Sequence, residues 1–192
     1  MKTQRNLIIL ATALLFIACN KSNTVVNEKI YNYERQNWKS NQITQFVGDI
    51  SYTATEVPLK YYILKNSVKN KNSNVDSIAA SNNHERIIEF EFQHIDKVDL
   101  LEKKYTDKDY ETSVKYLAFN IEKDFSIVTS SNDTIECSGA LFERNFKVAP
   151  FKRALLYFNN IDPEDNIQLI YNDQLFGNGH LTFNFNDRTL KL

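Results

Sequence analysis

The clearest pattern along the chain is strict alternation. In "HERIIEFEFQHI" Ile88, Phe90 and Phe92 alternate with Glu89, Glu91 and Gln93. Side chains on a strand point to opposite faces with period two, so this stretch predicts a strand with one buried face. "ITQFVGDISYTA" has the same period: Phe46, Gly48, Ile50, Tyr52 and Ala54 share one face, and Gln45, Asp49 and Ser51 fall mostly on the other. It predicts one half-buried strand. "HLTFNFN" repeats the pattern near the end, with Leu181, Phe183 and Phe185 opposite His180, Thr182 and Asn184. Between them, "YLAFNI", "FSIVTS", "TIECSGALFERNFKV", "RALLYFNN" and "NIQLIY" read as further strands, separated by "EKD", "SSND", "APFK" and "IDPED". Short strands with regular turn signals predict a mainly β fold. The expectation is one antiparallel β-sandwich, immunoglobulin- or transthyretin-like, over residues 43–192.

Helical periodicity is rarer. Tyr110, Val114 and Leu117 are spaced i, i+4, i+7, which predicts a helix over 107–116, and Thr106 with Asp109 resembles a capping box. "DKVDLLEKKY" predicts a short helix capped by Asp96. "PLKYYILKN" at 58–66 fits a helix by its Pro58 and a strand by its Tyr-Tyr-Ile. Residues 67–84, polar and low in complexity, predict a long loop.

Composition narrows the class. The chain has 192 residues, with 13 Phe and 10 Tyr against only four Gly and three Pro, which favours strands. The net charge of −1 argues against nucleic-acid binding, which needs clustered Lys and Arg. The N-terminus departs from the rest. Lys2 and Arg5 precede an apolar run from Leu7 to Ile17, and Ala18 is small. These are the three parts of a signal peptide over 1–18. The run is shorter than the roughly 20 residues that a spanning helix needs.

Phe16-Ile17-Ala18-Cys19 resembles the lipobox of bacterial lipoproteins, with Phe16 where Leu is usual. The resemblance implies that the Cys19 thiol carries diacylglycerol, that the chain is cut before Cys19, and that the new N-terminus is acylated. More than one acyl chain makes such an anchor stable. Losing Lys2 and Arg5 takes the net charge from −1 to −3. Asn20 resembles the residue of lipoproteins sent to the outer membrane, and 20–27 lacks the acidic run that marks surface export in some bacteria. The expectation is an outer-membrane lipoprotein facing the periplasm, with surface exposure as the alternative. Residues 19–42 then form a polar tether whose Tyr31, Tyr33 and Trp38 dock on the domain. With Cys19 lipidated, Cys137 has no partner for a disulfide, and reads as a buried structural thiol or a free reactive one.

Candidate chemistry is sparse. His84, His94 and His180 lie in unrelated contexts without metal-ligand spacing, so no metal or cofactor is expected. Glu85, Glu89 and Glu91 share a strand face; paired carboxylates can do acid/base work on sugars, but alternate strand positions ordinarily just face water. "DPED" and "YNDQ" read as turn chemistry before calcium ligands. "FGNG" reads as hairpin geometry. Arg144 and Arg153 are candidate recognition residues: with unbroken alternation Arg144 shares a face with Phe142 and Phe146, where a buried Arg needs a carboxylate, and a bulge or edge position is the plainer alternative. "DSI" and "DTI" resemble the Asp-Ser/Thr-apolar acceptor of O-glycosylation in Bacteroidetes-type bacteria, which nominates Ser77 and Thr134. The expected function is a non-enzymatic, membrane-anchored adaptor for an envelope protein. A glycan- or peptide-binding lipoprotein is the alternative, and an envelope hydrolase ranks third.

Overall fold

The computed structural model describes residues 41–66, 74–146 and 148–185. The signal peptide, Cys19 and most of the 19–42 tether lie outside the described residues. The element order is β1 (Gln42–Val47), β2 (Ile50–Val57), α1 (Leu59–Asn66), α2 (Val75–Ser81), β3 (Arg86–His94), α3 (Lys103–Thr106) and α4 (Tyr110–Phe119). A 3-10 turn (Ile121–Asp124) follows, then β4 (Phe125–Thr129), β5 (Thr134–Glu136), β6 (Gly139–Glu143), β7 (Phe151–Phe158), β8 (Ile167–Asp173) and β9 (Gly179–Phe185). All pairings are antiparallel. One sheet runs β1-β2-β3-β7-β6 and the other β5-β4-β8-β9. The protein is therefore mainly β, an antiparallel sandwich with a few short helices.

The alternation decides which residues face inward. Tyr52, Ala54, Ile88, Phe90, Phe92, Ala154, Leu156 and Phe158 from the five-stranded sheet are buried against Phe125, Ile127, Leu169, Tyr171, Leu181 and Phe183 of the other. Phe90 is the centre, with ring centroids 4.8 Å from Phe125, 5.1 Å from Tyr171 and 5.3 Å from Phe183. Each such fully buried ring contributes about 1.5–3 kcal/mol from the area it removes from water.

Several elements differ from the sequence expectation. The stretch 43–54 is a hairpin, not one strand: Val47 pairs with Ile50, and Gly48 takes φ +55 in the two-residue loop between them. That loop favours Gly at its first position. The turn puts Phe46 on the outer face, 69% exposed. Residues 58–66 resolve as helix, with the Tyr62 amide donating to the Pro58 carbonyl at 3.0 Å. Within 67–84, residues 75–81 are helical because Asn74 caps them, its side chain accepting from the Ser77 amide. Asp96 caps nothing helical; the helix there is only α3. The cap of α4 is Asp109 rather than Thr106, its carboxylate accepting from the Thr112 amide at 2.9 Å. Residues 117–121 complete that helix and start the 3-10 turn instead of forming a strand. Finally, 134–148 is two strands in different sheets. The amide of Cys137 donates to Phe125 in one sheet, and the next amide, Ser138, donates to Tyr157 in the other.

One polar group sits inside this apolar core. Asp173 is 3% exposed, and its carboxylate accepts five hydrogen bonds. Two come from Tyr52 Oη at 2.8 Å and Tyr171 Oη at 2.9 Å. Three come from the amides of Leu175, Phe176 and Asn178. Burial and the adjacent carboxylate push both tyrosines well above the usual phenol range; at Tyr52 a hydrogen bond from Asn178 opposes the rise. Asp173→Ala leaves those donors unpaired and should cost at least about 3 kcal/mol. Urea unfolding checks this; a loss below about 1 kcal/mol would show that the tie carries little.

A second carboxylate lies nearby. Asp124 accepts from Tyr116 Oη, and burial pushes its carboxyl up to about 6, with the Asp173 charge adding and Tyr116 and Lys108 opposing. Its folded pKa exceeds the ordinary value, so the folded state binds this proton more tightly. The resulting stability is full below about pH 4 and fades as pH rises through about 6. Asp124→Asn should remove that dependence and lead the wild type by about 2 kcal/mol at pH 8. Parallel stability curves for the two proteins between pH 4 and pH 8 would contradict this.

Candidate binding faces

The register fixes what the outer face of the five-stranded sheet displays. Strand partners across β1, β2, β3, β7 and β6 form rows. One row reads Phe46, Ser51, Gln93, Phe151. The next reads Thr44, Thr53, Glu91, Arg153, Glu143. A third reads Gln42, Thr55, Glu89, Leu155, Leu141. The fourth, with Ile87 and Tyr157, lies under the helices. Ile63 and Leu64 of α1 and Ala79 of α2 are buried, and Tyr62 Oη meets Tyr157 Oη at 2.7 Å. The Lys60–Asp76 pair, at 3.0 Å between α1 and α2, is exposed and contributes little. The helices cover one end of the sheet and leave three rows open.

Arg153 organises the open part. It lies 3.0 Å from Glu91, 3.3 Å from Glu89 and 3.5 Å from Glu143, with its guanidinium over the Phe151 ring at 4.7 Å. The Glu89 contact to Nε is electrostatic without hydrogen-bond alignment, so that N–H lacks a hydrogen-bond acceptor among the described residues. Burial raises the Glu89 carboxyl above its usual range, Arg153 opposes this, and Glu143 and Glu91 add to it. Where α1 overhangs the sheet, a cleft of about 330 Å³ is lined by Tyr61, Tyr62, Lys65, Glu89, Glu143 and Arg153. The sequence nominated Arg153 and the Glu89/Glu91 face separately; cross-strand pairing joins them.

Arg144 takes a different place. β6 ends at Glu143, so the alternation that would align Arg144 with Phe142 and Phe146 is broken. Phe146 has φ +46, and Arg144 lies over its ring at 5.0 Å. Ser77 is exposed in the first turn of α2, and Thr134 is exposed on edge strand β5. Cys137 is half-buried where the chain changes sheets, with Sγ 3.2 Å from the Gly139 carbonyl, and burial pushes its thiol up.

The remaining candidates have local roles. His84 Nδ1 meets the Ile161 carbonyl at 3.2 Å. His94 is buried beside Tyr105 and accepts from the Asp96 amide. Asp162 of "DPED" accepts from the Glu164 amide at 2.8 Å, as a turn aspartate does. Arg86 pins that loop through the carbonyls of Asp162, Pro163 and Asp165, while pairing with Glu56 at 2.7 Å. Among the described residues, no three His, Cys, Asp or Glu side chains converge as a metal site. No described helix is long and apolar enough to cross a membrane.

Lys152 is the group that the sequence reading missed. It is 1% exposed, with Nζ 3.1 Å from Asp99 and 3.4 Å from Asn145 Oδ1. The signal was present: in "FKRALLYF" alternation places Lys152 in phase with Ala154, Leu156 and Phe158, all core residues.

No family model matches the chain, and no curated protein matches it. Among solved structures it is similar to a DUF4426 family protein from Pseudomonas aeruginosa PAO1. The identity is 11% over 76% of this chain and 92% of that one, with a TM-score of 0.39. It is also similar to a protein of unknown function from Burkholderia pseudomallei K96243, at 10% identity over 85% of each chain and a TM-score of 0.34. With TM-scores below 0.5, neither likeness assigns an activity to this chain.

Proposed function

We propose that this is a lipid-anchored envelope lipoprotein whose sandwich is a non-enzymatic adaptor for another envelope protein. The anchor is Cys19, the location is the outer membrane with the domain facing the periplasm, and contact is made through the open face of the five-stranded sheet. The observation that carries this reading is the make-up of that face. The Phe151 ring lies under a guanidinium held in place by three carboxylates, and the row that Phe151 shares with Gln93, Ser51 and Phe46 runs beside them across to edge strand β1. Protein interfaces are enriched in aromatics and Arg at their centre, and an Arg already held in position loses less entropy on binding.

A second reading has one specific support. The cleft beside α1 combines Tyr61 and Tyr62 with Lys65 and the Glu89/Arg153 pair, a mixture suited to a glycan or peptide. Hydrolysis ranks third, because Glu89 and Glu91 are both engaged by Arg153 and neither is left as a free acid or base. The Asp-Ser/Thr-apolar resemblance adds O-glycosylation at the exposed Ser77 and Thr134 to the proposal.

Cys19→Ser should move the protein from the membrane to the soluble fraction; a variant that stays membrane-bound would overturn the anchor. Crosslinked pull-down of the anchored protein should recover a defined envelope partner. Phe46→Asp, at an exposed site, should reduce that recovery about tenfold or more without lowering the melting temperature. Recovery of no specific partner, or undiminished recovery with Phe46→Asp, would contradict the adaptor role of this face.

A further inference from the structure

On the opposite side of the β6–β7 hairpin from Arg153 is a smaller groove of about 180 Å³. Leu101, Tyr110, Val114, Phe142 and Phe146 form its apolar walls, and Arg144 and Lys152 bring cations to it. Their charges differ in status. Asp99 neutralises the Lys152 ammonium at 3.1 Å. Arg86 and Arg153 are likewise each matched by carboxylates. Arg144 has no ion-pair partner among the described residues; it has only the Phe146 ring. Burial raises the Tyr110 phenol above its usual range, with the Asp99 charge adding and Arg144 opposing. Phe146, one of the lining residues, is 73% exposed.

These features specify a ligand. A guanidinium without an ion-pair partner among the described residues can take one anion, and a planar carboxylate matches its fork of donors. The walls call for an apolar group. The volume is below the ~300–1,000 Å³ of drug-sized sites, so it holds roughly one side chain and not a long acyl chain. The exposed Phe146 offers apolar surface to whatever chain leads out of the groove. We propose that this groove binds a peptide C-terminus ending in an apolar residue, with Arg144 pairing the terminal carboxylate and Leu101, Val114 and Phe142 holding the last side chain. Capture of a chain-terminal carboxylate is an established mode of peptide recognition. The site is separate from the sheet face, and it stands or falls independently of the adaptor reading.

The test is calorimetric titration of the full chain with three probes. These are acetyl-Gly-Gly-Leu as the free acid, the same tripeptide as its C-terminal amide, and decanoate. The acid should bind saturably and the amide about tenfold or more weakly. Arg144→Gln, at an exposed position, should lose the same factor with an unchanged melting temperature, and Glu164→Gln, in the loop before β8, should lose nothing. Equal binding of acid and amide would overturn the proposal, as would full affinity in Arg144→Gln. So would the absence of saturation by the acid at roughly 10 mM. Tighter binding of decanoate than of the tripeptide would reassign the groove to free acyl carboxylates.

Discussion

The carboxylate of Asp173 ties the two sheets together. Tyr52 reaches it from β2 and Tyr171 from β8, so one anion holds side chains from both layers of the sandwich. A buried charge of this kind is costly unless every lone pair is used. Here five donors use them, and three are amides of the loop that leads into β9. The same group therefore orients the Tyr52 and Tyr171 rings and fixes the loop. Those rings in turn set the aromatic packing: Phe125 stacks on Tyr171 with centroids 4.5 Å apart, and Phe92 meets Tyr52 edge-on at 6.2 Å.

Other ion pairs repeat the arrangement at the margins. Arg86–Glu56 closes one end of the five-stranded sheet over the 162–165 loop. Lys152–Asp99 fixes the segment between β3 and α3 against the inner face of β7. Buried pairs of this type add little net stability, but a mispaired alternative would strand a charge, so they select one arrangement of the connecting loops. On the outer face of the five-stranded sheet, the helices cover the row with Ile87 and Tyr157 and leave three rows open. The charged row of this face is built on strands, which hold a constellation more accurately than loops do.

Much of this was legible in the alternation. Most of the strand structure at 86–94, 153–158, 167–171 and 180–185 follows from period two, while Phe151 and Lys152, which read as part of the "APFK" turn, and Asn172 and Asp173, which read as the start of the next turn, belong to the strands. What was illegible has physical causes. Gly48 continues the alternation of its neighbours, so a two-residue turn looks like uninterrupted strand until pairing is known. Residues 134–143 carry no turn signal beyond Gly139, and period two says which face is buried and not which sheet is joined; the change of sheet at Cys137 and Ser138 is a tertiary choice. α2 is short, and its cap, Asn74, sits in an Asn-rich stretch that masks it. The Arg153 cluster draws on β3, β6 and β7, and only register joins them. Lys152 could have been read, because a lysine in phase with Ala154 and Leu156 requires a buried carboxylate. The lipobox and tether readings concern residues outside those described, and rest on the sequence.

Site-specific photocrosslinking in the cell tests the central claim, that the open face of the five-stranded sheet is the working surface. A photoreactive residue placed at Gln93, in the outer row between Ser51 and Phe151, is compared with one at exposed Glu164 in the loop before β8. The account predicts a discrete crosslinked species from position 93 in the membrane fraction and none from position 164. The same species from both positions, or none from position 93, would contradict it.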